Sequence, residues 1–424
     1  MVSLFFALLL SSCADKPTAE NVRRWASRKE RAKLVAALKH AEAPADVRCD
    51  AALALVVGGD TAQVIGAAAD ARVSKDLLIC LPLVLKGAEV DKHTHAVAVL
   101  SGIVEKVDPA AREALAGTVG KWMMDDFLRR FQKDLVLKLG VGAIEPMVAA
   151  QKSGAFKALT RRERDAEKGR AMRNLALVVG PLAKAATRAK VAAGIVADFP
   201  KNAPLPQPAI DGLAELKAEG AAELAKLLVD AKADLAMRRE IPSALAFKGD
   251  STAIPKIMPV LRDSNEDIYV RGNILLYMNE VCSKATCGAL ADSIYPFLKD
   301  EYPSMASANL LLKIVGVPAL ERVLKNIAPA QALSGGEVNK LVDERIVPLG
   351  EKALPALTKA LRGRNWIGKV FAIRALAKMG GTGEVGVLMK LRGDKFRAEH
   401  WKDETTLGAE ATRAVKAIQE RRAR

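Results

Sequence analysis

Aromatic residues make up only 4% of this 424-residue chain, and only four histidines occur in it. So few large rings cannot fill one compact core, so the apolar bulk must come from smaller side chains. The scarcity of imidazole also removes most of the material for metal or acid–base chemistry. His93 and His95 stand about 200° apart on a helix and share no face, and His40 and His400 read as helix-end and loop residues. The chain contains no G-x-x-x-x-G-K-[ST] phosphate loop, no G-x-S-x-G elbow and no H-E-x-x-H pair. Nothing places paired carboxylates, or a nucleophile and its base, in one pocket. The expectation is a non-enzyme with no catalytic residues, no cofactor and no metal site. Beyond the first dozen residues no run is long and uncharged enough to cross a bilayer.

What is present is a 50% hydrophobic composition dominated by Ala, Leu, Val and Ile, side chains that suit helices packed closely together. Disorder along most of the length is excluded. Lys and Arg number 65 against 49 Asp and Glu, a formal net charge of +16. That excess reads either as a solubility device or as attraction for anionic envelope polymer, lipid headgroups or an acidic partner protein. The densest basic segment runs from Ser153 to Arg173 and carries Lys157, Arg161, Arg162, Arg164, Lys168 and Arg170. It is the candidate partner-binding segment, although its interleaved Glu163, Asp165 and Glu167 equally suit a solvated helix with i, i+4 pairs.

The opening residues Met1 to Glu20 read MVSLFFALLLSSCADKPTAE. An apolar run from Leu4 to Leu10 has the length of a signal-peptide core, and Leu10-Ser11-Ser12-Cys13 resembles the lipobox of bacterial lipoproteins. The resemblance implies a signal peptide over 1–12, diacylglyceryl attachment at Cys13, and a polar tether over 13–20. Met1-Val2-Ser3 departs from the family in carrying no Lys or Arg. The implied address is the bacterial cell envelope, at an outer-membrane or periplasmic face.

Internal repetition sets the expected fold of residues 21–424. Asp46-Val47-Arg48 leads through Ala51-Ala52-Leu53-Ala54-Leu55 to Gly58-Gly59-Asp60 and resembles the second helix of a HEAT repeat. Met237-Arg238 leads in the same way to Gly249-Asp250, and Gly368-Lys369 to Gly380. Weaker copies close at Gly140, Gly180, Gly220, Gly316 and Gly350. The phase falls at residues 47, 92, 128, 168, 208, 237, 270, 304, 338, 368 and 407. Ile254-Pro255, Pro318-Ala319 and Leu354-Pro355 read as first-helix starts, where proline is tolerated. The resemblance implies an all-α superhelix of roughly ten to eleven HEAT-like helical pairs, a scaffold that binds a protein partner. It also implies that Arg48, Arg129, Arg238 and Arg271 bridge to an Asp in a neighbouring unit.

Two further readings stay open. HEAT-like arrays include alkylpurine DNA glycosylases, so nucleic-acid binding through the net positive charge is the alternative function. The scattered Trp25, Trp122, Trp366 and Trp401 and the export signal count against it. Cys49 and Cys80 sit in apolar helical patterns and read as buried small hydrophobes. Cys282 and Cys287 flank a polar, turn-like Ser283-Lys284-Ala285-Thr286 and read either as a local disulfide or as two free thiols.

Overall fold

The computed structural model describes residues 16–86, 90–104, 107, 109–125, 130–144, 147, 161–199, 204–328, 335–397 and 405–423. Among them every regular element is helical and none is a strand. Cys13, the signal-peptide segment, Lys157, Arg129 and His400 lie outside the described residues. The chain divides into two compact units, residues 1–200 with 205–220, and residues 201–204 with 221–424.

The first unit contains α1 (Ala19–Ser27), α2 (Arg31–Lys39), α3 (Ala45–Val57), α4 (Thr61–Ala67), α5 (Ala71–Lys86), α6 (Val90–Ile103), α7 (Pro109–Asp125), α8 (Arg130–Leu139), α9 (Arg161–Leu182), α10 (Ala185–Ala197) and α11 (Gln207–Glu215). Helix α12 (Lys217–Val229) follows. The second helices of successive pairs, α3, α5, α7, α9 and α11, each pack on the next. In α3 the paired alanines do what their size allows: Ala51 and Ala52 are fully buried, letting neighbouring backbones approach, and Leu55 fills the layer beside them.

The second unit continues with α13 (Leu235–Phe247), α14 (Ile254–Arg262), α15 (Ile268–Val281), a series of short turns over 284–299, α16 (Ser304–Ile314), α17 (Val317–Asn326), α18 (Gly335–Leu341), α19 (Leu354–Leu361), α20 (Trp366–Met379), α21 (Thr382–Met389) and α22 (Leu407–Ala423). Again the second helices stack, α13 on α15, α15 on α16 and α20 on α22. Each unit is therefore a file of helix pairs whose apolar faces are closed only by neighbours, the HEAT-like arrangement expected from the repeat. The core is aliphatic throughout, with Tyr277 and Phe371 as its only large rings below 2% exposure among the described residues.

Local sequence explains where the second helices begin. The Asp234 side chain accepts from Met237 N at 2.8 Å, and Asp267 accepts from Tyr269 N and Val270 N at 3.0 Å each. Asn365 does the same for Ile367 N at 3.1 Å. Each satisfies amides that have no intrahelical acceptor. Prolines enter first helices at the first turn, as at α14, α17 and α19.

The closing glycines divide into two kinds. Gly249 (φ 64°) and Gly316 (φ 77°) follow helix ends with a positive φ that favours glycine. Gly180 and Gly220, read from the sequence as closing residues, instead lie inside α9 and α12. At Gly220 a Cβ would stand 1.7 Å from the Leu213 carbonyl oxygen, so the missing side chain serves close approach rather than termination. The phase itself is met at 47 in α3 and from 208 onward, where 208, 237, 270, 304, 338, 368 and 407 all fall in the opening turns of second helices. Between them it slips: Lys92 lies in the first helix α6 and Lys168 in the middle of α9. Phe199 to Pro208 is rich in proline and its composition implies an extended connection, but Gln207 and Pro208 already belong to α11.

Candidate functional site

Charged side chains first have to be assigned to the stack before any can be offered to a partner. Arg48 Nε lies 2.6 Å from Asp76 Oδ2 on the next second helix, and its Nη1 donates to the His40 carbonyl at 2.9 Å. Arg238 Nη2 reaches Glu266 Oε2 at 2.5 Å while its Nε donates to the Leu228 carbonyl at 2.9 Å. Both guanidiniums thus lock consecutive pairs together, Arg48 on an Asp as the repeat resemblance implied and Arg238 on a Glu in its place. Arg188 makes a two-pronged contact with Glu219, at 2.8 and 3.2 Å, and Arg374 does so with Glu410, at 3.3 and 3.1 Å. The sequence did not single out these two, since neither stands at the Arg position of the repeat. Hydrogen bonding from Arg188 holds the Glu219 carboxyl below its ordinary pKa.

The basic segment also turns inward in part. Lys168 Nζ donates to the Asp198 carbonyl at 2.5 Å and lies 5.2 Å from the Phe199 ring centre, so it ties α9 to the end of α10. Arg161, Arg162, Arg164 and Arg170 share that helix with it. The terminal charges of α22 behave similarly: Arg421 donates to the carbonyls of Ala377 and Lys378 at 2.8 and 2.6 Å, and also to that of Gly380. It caps the end of α20, where carbonyls lack helical partners, rather than merely presenting charge to solvent.

Cysteine placement differs from the sequence reading at one pair. Cys49 in α3 and Cys80 in α5 are joined by a disulfide across 31 residues, instead of standing as separate buried thiols. They occupy neighbouring second helices, and that one-repeat spacing was the available signal. Cys282 and Cys287 are bonded to each other at the end of α15. Of five cysteines, only Cys13 is left outside these two bonds.

Among the described residues no group of three or more His, Cys, Asp or Glu is placed to hold a metal ion, and no helix is long and apolar enough to cross a membrane. The grooves are open and shallow. One of about 800 Å³ lies along α5 and α7, lined by Leu78, Ile79, Pro82, Ala111 and Leu115 among others. Another, along α1 to α3, is lined by Arg23, Lys29, Arg31, Asp50 and Asp60 among others, with Arg31 paired to Asp60 at 3.1 Å.

The most structured solvent-facing arrangement lies on the second helices of the second unit. Asp267, already the cap of α15, takes a two-pronged contact from Arg239 of α13 at 3.0 and 2.6 Å. Hydrogen bonding from Arg239 holds the Asp267 carboxyl below its ordinary value. The Arg239 guanidinium carbon lies 4.9 Å from the Tyr269 ring centre, and the Tyr269 and Tyr302 rings are in turn 4.9 Å apart, tilted by 57°. Tyr302 crosses directly over Gly272, where a Cβ would stand 2.3 Å from its ring. The Tyr302 hydroxyl donates to Asn273 Oδ1 at 3.2 Å, and Asn273 Nδ2 donates to the Arg239 carbonyl at 2.8 Å. The circuit is closed, yet Tyr269 stays 49% and Tyr302 43% exposed, with Leu276 exposed farther along the same face of α15.

The polar side of this face continues along the file. Asn309 of α16 accepts from Arg345 Nε at 2.6 Å, and Asn339 of α18 accepts from Arg374 Nη1 at 3.2 Å. Fixed asparagine, arginine and tyrosine groups on successive helices form a strip with two exposed rings near one end. Such a strip can hold a protein segment by stacking and hydrogen bonding, but it contains no arrangement for bond making or breaking. Sequence reasoning missed it, since Tyr269 and Tyr302 lie 33 residues apart in otherwise ordinary helical patterns.

No protein-family model matches this chain, and no curated protein matches it. Among solved structures, that of Kap121p aligns with 98% of this chain at 12% identity and a TM-score of 0.41. The chain spans about half of Kap121p, 47% of its length. A structure described under a phosphorylation switch controlling the interaction between cadherin and beta-catenin aligns with 95% of this chain and 97% of its own, at 14% identity and a TM-score of 0.25.

Proposed function

We propose that this chain is a non-catalytic protein-binding scaffold of HEAT-like helix pairs, held at a bacterial envelope membrane by a lipid on Cys13. The scaffold half of the reading rests on the Arg239–Tyr269–Tyr302–Asn273 circuit. Tyr and Arg dominate the energetics of protein interfaces, and here each is hydrogen-bonded or stacked within the chain, which lowers the entropy lost on binding. The envelope half rests on cysteine accounting. Two disulfides suit an oxidising compartment, and the one cysteine outside them is the residue that the lipobox-like sequence would modify. A lone acyl chain anchors weakly, whereas the two or three chains of a bacterial lipoprotein anchor stably.

Two measurements test the halves separately. Intact-mass analysis of the protein from membranes is expected to find a diacylglyceryl-modified chain beginning at Cys13; an unmodified soluble chain that retains Met1 would remove the tether. A photoreactive amino acid replacing Tyr302 is expected to form one defined protein adduct in intact cells, abolished by Leu276→Asp. The same adduct with the reactive group moved to exposed Lys256, or no adduct from position 302, would remove the binding surface.

A further inference from the structure

Three arginines stand at one register, four residues after the first residue of a second helix's cap. The Arg48 amide donates to the Pro44 carbonyl, that of Arg238 to Asp234, and that of Arg271 to Asp267. The first two side chains then end on a carboxylate 28 residues onward, Asp76 and Glu266. The corresponding position beyond Arg271 is occupied by Lys299. The Arg271 guanidinium lies 5.3 Å from the ring centre of Phe297, which places it against the turn Tyr295–Lys299. There its Nε is buried and has no hydrogen-bond partner. The rung has its donor, its apolar floor and a second cation at position 299, and the first acid, Asp300, comes one residue later as the cap of the turn.

A buried guanidinium N–H without an acceptor is costly, and the fork of Arg is shaped for two oxygens of one oxyanion. We propose that Arg271 is an open rung that takes an oxyanion from outside the chain, either the carboxylate of an Asp or Glu on a bound protein or a free phosphate. The first source rests on the scaffold reading above and adds acidity to the chemistry of the partner; the second does not depend on it.

The test uses the full chain with two probes, a fluorescent hexaglutamate peptide and inorganic phosphate, at constant ionic strength set with chloride. Arg271→Met keeps the stem over Phe297 and removes the fork, and Lys256→Met removes an exposed positive charge elsewhere. Arg271→Met is expected to weaken binding of at least one probe by about fivefold or more, with Lys256→Met close to wild type. Peptide binding lost alone identifies a partner's carboxylate as the source; phosphate binding lost alone identifies the free anion. Equal weakening in both variants, or no binding of either probe by the wild type, overturns the proposal.

Thermal melting supplies a second readout. An open rung has no ion pair to lose and methionine keeps the packing on Phe297, so Arg271→Met is expected to leave Tm nearly unchanged, whereas Arg238→Met lowers it by about 5 °C. An equal fall in both would mean that Arg271 has an internal acceptor, and would also overturn the proposal. Should Arg271→Met fail to fold, Arg271→Lys, which keeps the charge but not the fork, is expected to weaken the same probe. Failure here, with the Tyr302 adduct intact, would leave the scaffold reading standing.

Discussion

Arg238 of α13 and Glu266, two residues before α15, stand 2.5 Å apart between Nη2 and Oε2, and only 6% and 10% of their side chains remain exposed. Removing one member of such a pair strands the other charge away from water, a cost larger than the net worth of the intact pair. Glu266→Ala is therefore expected to destabilise the protein by about 3–5 kcal/mol. The double variant Glu266→Ala with Arg238→Met should recover part of that loss. Denaturant melts of the four proteins in the cycle measure the coupling, and strict additivity would contradict it.

The Cys49–Cys80 bond closes a 31-residue loop, and Cys282–Cys287 one of only 5. Chain-entropy estimates give about 3–4 kcal/mol for the first and about 2 for the second. Reduction is thus expected to cost more through the first unit than the second, with Cys49→Ser plus Cys80→Ser reproducing most of the effect. Alkylation before and after reduction should count four protected thiols, and melts with and without reductant give the cost.

Two glycines are packed against neighbours that respond differently. A Cβ at Gly368 would stand 2.0 Å from the Leu324 carbonyl oxygen, part of a backbone that cannot swing away. Gly368→Ala is expected to lower stability by about 2–3 kcal/mol. At Gly272 the obstacle is the Tyr302 ring, which can rotate out of the way. Gly272→Ala should cost less stability but displace Tyr302 from Asn273, so tyrosine fluorescence should change while the melt shifts less than for Gly368→Ala.

Glu219 has its carboxyl held below the ordinary range by Arg188, and Asp267 by Arg239. A carboxyl with a depressed folded-state pKa contributes stability that is fully present above its unfolded value, near 4, and lost as pH falls through the folded one. Stability should accordingly decline with acid below about pH 4–5. Glu219→Gln should flatten part of that decline while lowering stability at neutral pH. An acid limb identical to wild type would contradict the assignment.

The helix-pair architecture was legible because small apolar residues, capping Asp or Asn and positive-φ glycines recur together in the later pairs. It was lost between Gly59 and Pro200 for a physical reason. Helix α5 opens at Ala71-Arg72-Val73, but the preceding α4 is only seven residues long. The step between second helices there is therefore shorter than the average repeat. Gly180 and Gly220 misled in a related way, since a glycine chosen for close packing looks in sequence like one chosen for a turn.

At the level of side chains, Arg48 met an Asp as the repeat pattern implied, and Arg238 a Glu in its place, because that contact is part of the stack itself. The tyrosine circuit was invisible, since it depends on Gly272 leaving room for a ring 30 residues away. Cys49 and Cys80 were hidden by their apolar surroundings. A disulfide between adjacent helices needs no polar flanks, and only the spatial pairing reveals it.

The α3–α5 bond also makes α4 and its two connections an arc of chain tied at both ends. A protease cutting between Gly58 and Asp70 would therefore yield two pieces that travel as one on a non-reducing gel and separate only after thiol is added.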